Sequence, residues 1–286
     1  MRLVSYALDG RSGLALRTPD GLRDLGPRSL ETVLAGGPEA LAACAGTDGA
    51  LLDPAAIAYR PVLARPGKIL CIGLNYVDHA AESPYLKVPD YPAVFPRFSS
   101  SLVGHGAPII RPKVSQDLDF EGEVAVIVGR PGRHIAKADA LGHVAGYSIF
   151  NDASIRDYQF KSAQWTVGKN FDGTGPFGPE FVTADELPPG AHGLKIETRL
   201  NGTVVQSAST ADMCFDVATL VSIISEVMTL ETGDVIMTGT PAGVGFARKP
   251  PLYMRDGDVC EVEVEGLGIL RNPVRDEVAT RDAVAA

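Results

Sequence analysis

Apolar and polar positions alternate with a period of two through much of this chain, the signature of half-buried strands. LVSYAL (3–8), GLALRT (13–18) and GLRDLG (21–26) read as short strands divided by Gly and Asp turns. SLETVLAG (29–36) and EALAACAG (39–46) change to helical spacing, and the turn chemistry of ARPGK (64–68) marks a boundary. Strands then dominate: KILCIGL (68–74), SLVG (101–104), APIIRP (107–112), LDFEGEVAVIVGR (118–130), HVAGYSIFND (143–152), LKIETRL (194–200), TVVQS (203–207), DVIMTG (234–239) and VCEVEVEG (259–266). Asn201-Gly202 between two of them reads as a hairpin turn. Two later stretches read as helices. ADALGHVA (138–145) is short, and 215–230 is long, with Val217, Leu220, Ile224 and Val227 on one stripe and Asp216 as its cap. The pattern predicts an α+β, β-rich fold on a mixed sheet system, with a small N-terminal domain (1–65) ahead of a larger domain (66–286).

Composition narrows the function. The 286 residues carry a net charge of -9, which argues against a general nucleic-acid binder. No apolar run reaches the length of a membrane span, and the first residues lack a signal-peptide pattern. Cys44, Cys71, Cys214 and Cys260 form no C-x-x-C pair and read as buried thiols, so a reducing cytoplasm is expected. GTGPFG (173–178) spells a dinucleotide fingerprint, but Pro176 and Pro179 break the helix that motif requires, so it reads as a Gly/Pro loop.

Candidate chemistry starts in LDFEGEVAV. On a strand, Asp119, Glu121 and Glu123 fall on one face, although the run continues apolar on both faces. Burying an unpaired carboxylate is costly, and one divalent cation neutralises several. Glu121 and Glu123 stand about 6.6–6.8 Å apart along a strand and can converge on one ion, with Asp152 at a strand end as third ligand. All-oxygen ligands suit Mg²⁺, Mn²⁺ or Ca²⁺. Asp117 and Asp119 read as the solvated entry to the strand. Gly122 reads as a gap that permits close packing behind the site.

Three further groups carry potential chemistry. His79 and Glu82, three apart, share one face of a helical turn, and a carboxylate that holds a His tautomer makes a general base. Ser83 to Pro96 is rich in Pro and Tyr and suits a lid. Arg156, Gln159, Lys161 and Lys169 form a basic and polar group able to hold an anionic substrate and stabilise an enolate. TGTPAGVG (238–245) follows a strand, and Gly239 there lets backbone approach a ligand closely.

In this order, CIGLNYVDHAAE, FPRFSSSLVGHGAPI, LDFEGEVAVIVG, FNDASIRDYQF, QWTVGKNFDGTGPFGP and LETGDVIMTGTPAGVG resemble the fumarylacetoacetate hydrolase family, in particular its shorter, bacterial acylpyruvase-like members, over roughly residues 67 to 275. The resemblance implies a β-rich mixed fold, a homodimer, a bound Mg²⁺, Mn²⁺ or Ca²⁺, and a small anionic keto-acid substrate. It implies Glu121, Glu123 and Asp152 as metal ligands, His79 and Glu82 as the catalytic dyad, and Lys169, Arg156 and Gln159 as the groups that polarise the substrate. Thr240 and Gly239 fall at a substrate-contact loop. Arg97 stands where many relatives carry Lys, which bears on carboxylate binding or oligomer packing. The implied reaction is metal-dependent hydrolysis of a C–C bond in an acylpyruvate or 2,4-diketo acid. Glu82 orients His79, which takes a proton from water, and the metal, Lys169 and Arg156 hold the leaving enolate. Oxaloacetate decarboxylation and keto–enol or double-bond isomerisation use the same site. A non-catalytic metal-binding scaffold is the third reading.

Overall fold

The structure is a computed structural model that describes residues 1–82 and 90–278. Its spine is a sheet of twelve strands. Along its main path the order is Leu51–Leu52, Gly21–Asp24, Arg11–Thr18, Arg2–Leu8, Gly175–Thr183, Val144–Asn151, Gly122–Val128, Val235–Met237, Ile69–Gly73 and Ala93–Pro96. Most pairs are antiparallel, but Val235–Met237 runs parallel to Ile69–Gly73, so the sheet is mixed. A second sheet of five strands is ordered Thr203–Ser209, Lys195–Leu200, Val259–Val264, Gly268–Asp276 and Ile109–Arg111. Asn201 and Gly202, both at positive φ, make the turn of its first hairpin, because αL backbone suits these two residues. The fold is α+β and β-rich.

The central strand Gly122–Val128 is buried at every position. Val124, Val126 and Val128 face a core shared with the helix Val217–Val227 and with Ile196, Val262 and Leu270 of the second sheet. Ala125 and Ile127 face a core shared with Leu3, Leu14, Leu30 and Phe181. Two hydrophobic layers therefore clamp this strand, and its end is held rigidly. The first 65 residues extend the large sheet, because Arg2–Leu8 pairs with Gly175–Thr183.

Several elements differ from their sequence reading. LDFEGEVAV is not one strand: Leu118–Asp119 pairs with Ser154–Ile155 in a separate two-stranded ribbon, and the chain bends at Phe120 and Glu121 before Gly122–Val128 begins. The GTGPFG run (173–178), read as a loop, supplies the first residues of the strand Gly175–Thr183 inside the large sheet. Its prolines are tolerated because Pro176 pairs across the short parallel strand Leu102–Val103, and Pro179 sits where the register with Val144–Asn151 shifts. Residues Lys137–His143 form a 3₁₀ turn rather than an α-helix, since Val144 already enters a strand. The long helix spans Val217–Val227, with Asp216 accepting the Thr219 N–H at 2.7 Å, but Val227 at its end is exposed. Half of the expected lid, residues 83–89, lies outside the described residues.

Candidate active site

The site lies across the ends of four neighbouring strands. Gly122 pairs with Asn151, so the residues just outside the two strands, Glu121 and Asp152, become neighbours, and the Asp152 N–H donates to the Glu121 carbonyl at 2.8 Å. On the other side Val235–Met237 delivers Thr238, Gly239 and Thr240, and Ile69–Gly73 leads through Leu74 and Asn75 into the helix Val77–Glu82. Asn75 pins these connections: its amide donates to the carbonyls of Thr238 (2.7 Å) and Phe215 (3.0 Å).

Carboxylate oxygens of Glu121, Glu123 and Asp152 lie within 4.8 Å of one another, and all three residues are buried. Lys169, at the end of the short helix Thr166–Lys169, places Nζ 2.6 Å from both Glu121 Oε2 and Asp152 Oδ2. Arg156 places Nη2 2.6 Å from Glu121 Oε1 and donates from Nε to Asp119 Oδ2 at 2.8 Å and from Nη1 to Gln159 Oε1 at 2.8 Å. Glu123 accepts one hydrogen bond among the described residues, from the Gly239 N–H at 2.9 Å.

These surroundings split the two glutamates. Burial alone raises the Glu121 carboxyl, but Arg156, Lys169 and His79 outweigh it and bring the pKa down to about 2. Burial, then the charges of Asp152 and Glu121, push Glu123 well above the usual carboxylate range. Burial lowers the Lys169 ammonium, yet Asp152 and Glu121 raise it on balance, so it stays charged. Glu123 is thus a buried carboxylate with one neutral donor and two acidic neighbours, the situation a divalent cation relieves. The three all-oxygen side chains fit a hard cation and could hold one.

His79 Nδ1 lies 2.9 Å from Glu82 Oε1, and both Glu82 oxygens accept the Gly243 N–H at 3.0 Å. His79 opens onto the same cavity as Glu121, Glu123, Arg156, Gln159, Lys169 and Thr240, with about 440 Å³ of empty space including the mouth. Ile72, Leu74, Phe95, Phe160, Trp165 and Phe246 supply apolar walls. Leu74 holds φ at 57°, a conformation costly for a branched side chain, at the turn that aims the next helix. Thr240 Oγ1 accepts from Gln206 Nε2 at 2.8 Å, which leaves its own hydrogen available to a ligand. Lys161 stacks on Tyr158 away from the cavity. Arg97 does not line the cavity: its guanidinium is buried behind Asp152.

Asp119 does not sit at a solvated strand entry. It is fully buried and accepts from the N–H groups of Phe120, Gly245 and Phe246 besides Arg156. The strand is interrupted at Phe120–Glu121, so Asp119 belongs to the separate ribbon with Ser154–Ile155. Asp117 beside it is half-buried. Gly122 faces the second sheet, where a Cβ would stand 2.3 Å from Thr198 Oγ1. Sequence reasoning did not single out Asn75, Gln206, Phe95, Trp165 or Phe246. Asn75, Phe95 and Trp165 nonetheless sat inside stretches already chosen for their motifs.

Residues 68–275 match the model of the fumarylacetoacetate (FAA) hydrolase C-terminal domain. The chain belongs to the fumarylacetoacetate hydrolase family. Within that family it is 42% identical over 225 residues to the mitochondrial oxaloacetate tautomerase Fahd2a of Rattus norvegicus, covering 78% of this chain and 71% of that one. A fumarylacetoacetate hydrolase from Exiguobacterium antarcticum superposes with a TM-score of 0.83 at 38% identity, over 97% of this chain and 100% of its own. A 5-carboxymethyl-2-hydroxymuconate delta-isomerase from Mycobacterium smegmatis superposes at 0.77 with 31% identity, over 97% and 100%. Members of this family similar to the chain thus include a tautomerase, a hydrolase and an isomerase. Among the described residues no helix is long and apolar enough to cross a membrane.

Proposed function

We propose that this protein performs cation-assisted enolate chemistry on a small 2-oxo acid, with keto–enol tautomerisation of an oxaloacetate-like diacid as its activity. One observation carries the reading. The His79–Glu82 pair, able to move a proton, opens onto the same cavity as Lys169 and Arg156, able to stabilise an enolate. The 42% identity to an oxaloacetate tautomerase supports the choice of outcome.

Glu121, Glu123 and Asp152 would hold the divalent ion, Mg²⁺ or Mn²⁺, with Ca²⁺ as a further candidate. Bound there, it would supply Lewis-acid polarisation of the 2-oxo group. Glu82, itself held by Gly243, fixes the tautomer of His79 through Nδ1. Nε2 then exchanges a proton with the carbon beside the 2-oxo group. As that proton leaves, its bonding pair moves into the new C=C bond, the carbonyl π pair moves to oxygen, and that oxygen takes up a proton to give the enol while His79 returns its own to solvent; the enol-to-keto direction reverses both transfers. Lys169, Arg156 and Gln159 donate to the oxygens that gain charge, and Thr240 and the Gly239 backbone contact the substrate at the opposite wall. The apolar walls exclude water.

Hydrolysis of an acylpyruvate or other 2,4-diketo acid is the second reading. The fixed orientation of His79 by Glu82 and Gly243 favours it, since a positioned base can equally take a proton from water. The hydroxide oxygen bonds to the distal carbonyl carbon, the C–C bond breaks, and its pair is received as an enolate that takes up the proton. Oxaloacetate decarboxylation shares the enolate without water attack. The four free cysteines support a reducing compartment, which we take as the cytoplasm, and the homodimer is the assembly that the family resemblance implies.

The test is to follow oxaloacetate enol-to-keto conversion, oxaloacetate decarboxylation and acylpyruvate cleavage in parallel, with Mg²⁺ or Mn²⁺ and after chelation. Rapid cation-dependent tautomerisation without comparable cleavage is expected. Cleavage dominating moves the assignment to the second reading, and activity unchanged after full cation removal overturns both.

A further inference from the structure

We infer that Arg97 is a positioning residue for the carboxylate cluster: its guanidinium fixes which oxygen of Asp152 is offered to a divalent cation. The inference rests on the reading of Glu121, Glu123 and Asp152 as cation ligands. Nε of Arg97 donates to Asp152 Oδ1 at 2.5 Å, while Asp152 Oδ2 faces Lys169 at 2.6 Å, whose Nζ also donates to Glu121 Oε2. One oxygen is thereby tied to the scaffold and the other is left for the site.

The guanidinium is itself held on every side. Nη2 donates to the carbonyl of Ala153, the residue after Asp152. Nη1 reaches Ser101 Oγ at 3.1 Å and Thr174 Oγ1 at 3.4 Å. Those hydroxyls give their own hydrogens to Phe98 O (2.8 Å) and Phe171 O (2.7 Å), so their lone pairs are aimed at Arg97. The Arg97 N–H donates to Ile69 O at 3.0 Å, which anchors the base of the side chain to the large sheet. Gly175 completes the cage: a Cβ there would stand 2.5 Å from Nη1. Gly175 therefore gains a reason that turn chemistry did not supply.

A planar fork is needed for this arrangement. Holding the Asp152 carboxylate, the adjacent carbonyl and two hydroxyls at once requires donors in fixed directions, which an ammonium on a flexible stem does not present. Charge and geometry pull in opposite directions here. A positive group beside an acidic cluster opposes cation binding, whereas a fixed ligand favours it. Arg97→Lys separates the two, since it keeps the charge and removes the fork.

The test is calorimetric titration of the full chain with Mn²⁺ after chelation and desalting, with the Mn²⁺ electron paramagnetic resonance spectrum as a second readout. Arg97→Lys is expected to bind Mn²⁺ roughly 10- to 100-fold more weakly than the wild type and to alter the spectrum. Unchanged or tighter binding overturns the inference, including the case in which only thermal stability falls. If Arg97→Lys does not fold, the Ser101→Ala, Thr174→Val double variant carries the test, because it releases Nη1 alone. A several-fold weaker Mn²⁺ site with an unchanged far-ultraviolet circular dichroism spectrum supports the inference, and unchanged affinity overturns it. A wild-type chain that takes up no Mn²⁺ overturns the cation-site reading together with the inference. Wild-type binding with no effect of either variant overturns the inference alone.

Discussion

Asp119 and Arg156 form an ion pair, Oδ2 to Nε at 2.8 Å, in which neither side chain reaches solvent appreciably. The same carboxylate accepts from Gly245 (2.7 Å) and Phe246 (2.9 Å), and the Phe246 ring lies 4.4 Å from the Arg156 guanidinium. Asp119 therefore ties the loop beyond TGTP to the cation at the site. Removing one partner of a buried pair leaves the other uncompensated. Asp119→Ala should lower stability by about 3–5 kcal/mol in urea unfolding. A midpoint within error of the wild type would contradict the pairing.

The opposed shifts of Glu121 and Glu123 predict a pH signature. Glu121 is depressed from 4.5 to about 2, so its contribution is fully present above pH 4.5 and fades as the pH falls toward 2. Glu123 is raised, so it weakens the cation-free fold progressively as the pH climbs past 4.5 toward its folded value. In chelator, Glu123→Gln should therefore unfold at a higher temperature than the wild type at pH 8, with the gap closing near pH 4. A gap that does not vary with pH contradicts the raised carboxyl.

The same carboxyl predicts proton release. A cation that takes Glu123 as ligand displaces the proton that group retains, so affinity should rise with pH. Calorimetry in two buffers of different ionisation enthalpy reads the proton count directly. Glu123→Gln should bind more weakly and release fewer protons, and unchanged affinity would defeat the ligand assignment.

His79 is the proposed proton carrier, and its loss should cost about 10²–10⁴-fold in kcat. Cation affinity should change far less than turnover, because His79 hydrogen-bonds Glu82 and acts on Glu121 only through its charge. Full turnover in His79→Ala would remove the dyad from the mechanism.

Gly122 lies against the second sheet, where an added Cβ would stand 2.3 Å from Thr198 Oγ1 and 2.9 Å from Val262 Cγ1. Gly122→Ala should cost about 1–3 kcal/mol through overpacking. Among the described residues Thr198 Oγ1 has no hydrogen-bond partner, so Thr198→Ala in the same chain should recover part of that loss. No recovery would place the strain elsewhere.

Much of this protein was legible before any fold was known. Period-two alternation located most strands, the Asn201-Gly202 turn set a hairpin, and Asp216 capped the long helix. Spacing brought Glu121 toward Glu123 and His79 toward Glu82, because both pairs interact within one local element or beside its end. Local periodicity also had a limit: it made LDFEGEVAV one strand and placed Asp119 at a wet edge. The bend at Phe120–Glu121 arises from pairing with Ser154–Ile155, and no residue within the stretch announces it.

The sequence by itself determined the β-rich class, the family and the kinds of side chain available to the chemistry. The class and the side chains follow from local periodicity and residue type, and the family from the resemblance of its motifs, none of which needs knowledge of distant neighbours. Tertiary structure alone decided that Gly175–Thr183 is a strand, that Asp119 is buried against Arg156, and that Arg97 stands behind Asp152 rather than in the cavity. Each depends on partners at least 27 residues away in the chain, as with Gly146 and Thr183 or Asp119 and Arg156, whose separations are 37. Such contacts are set by which strands become neighbours, and a buried charge finds its partner only after that choice is made.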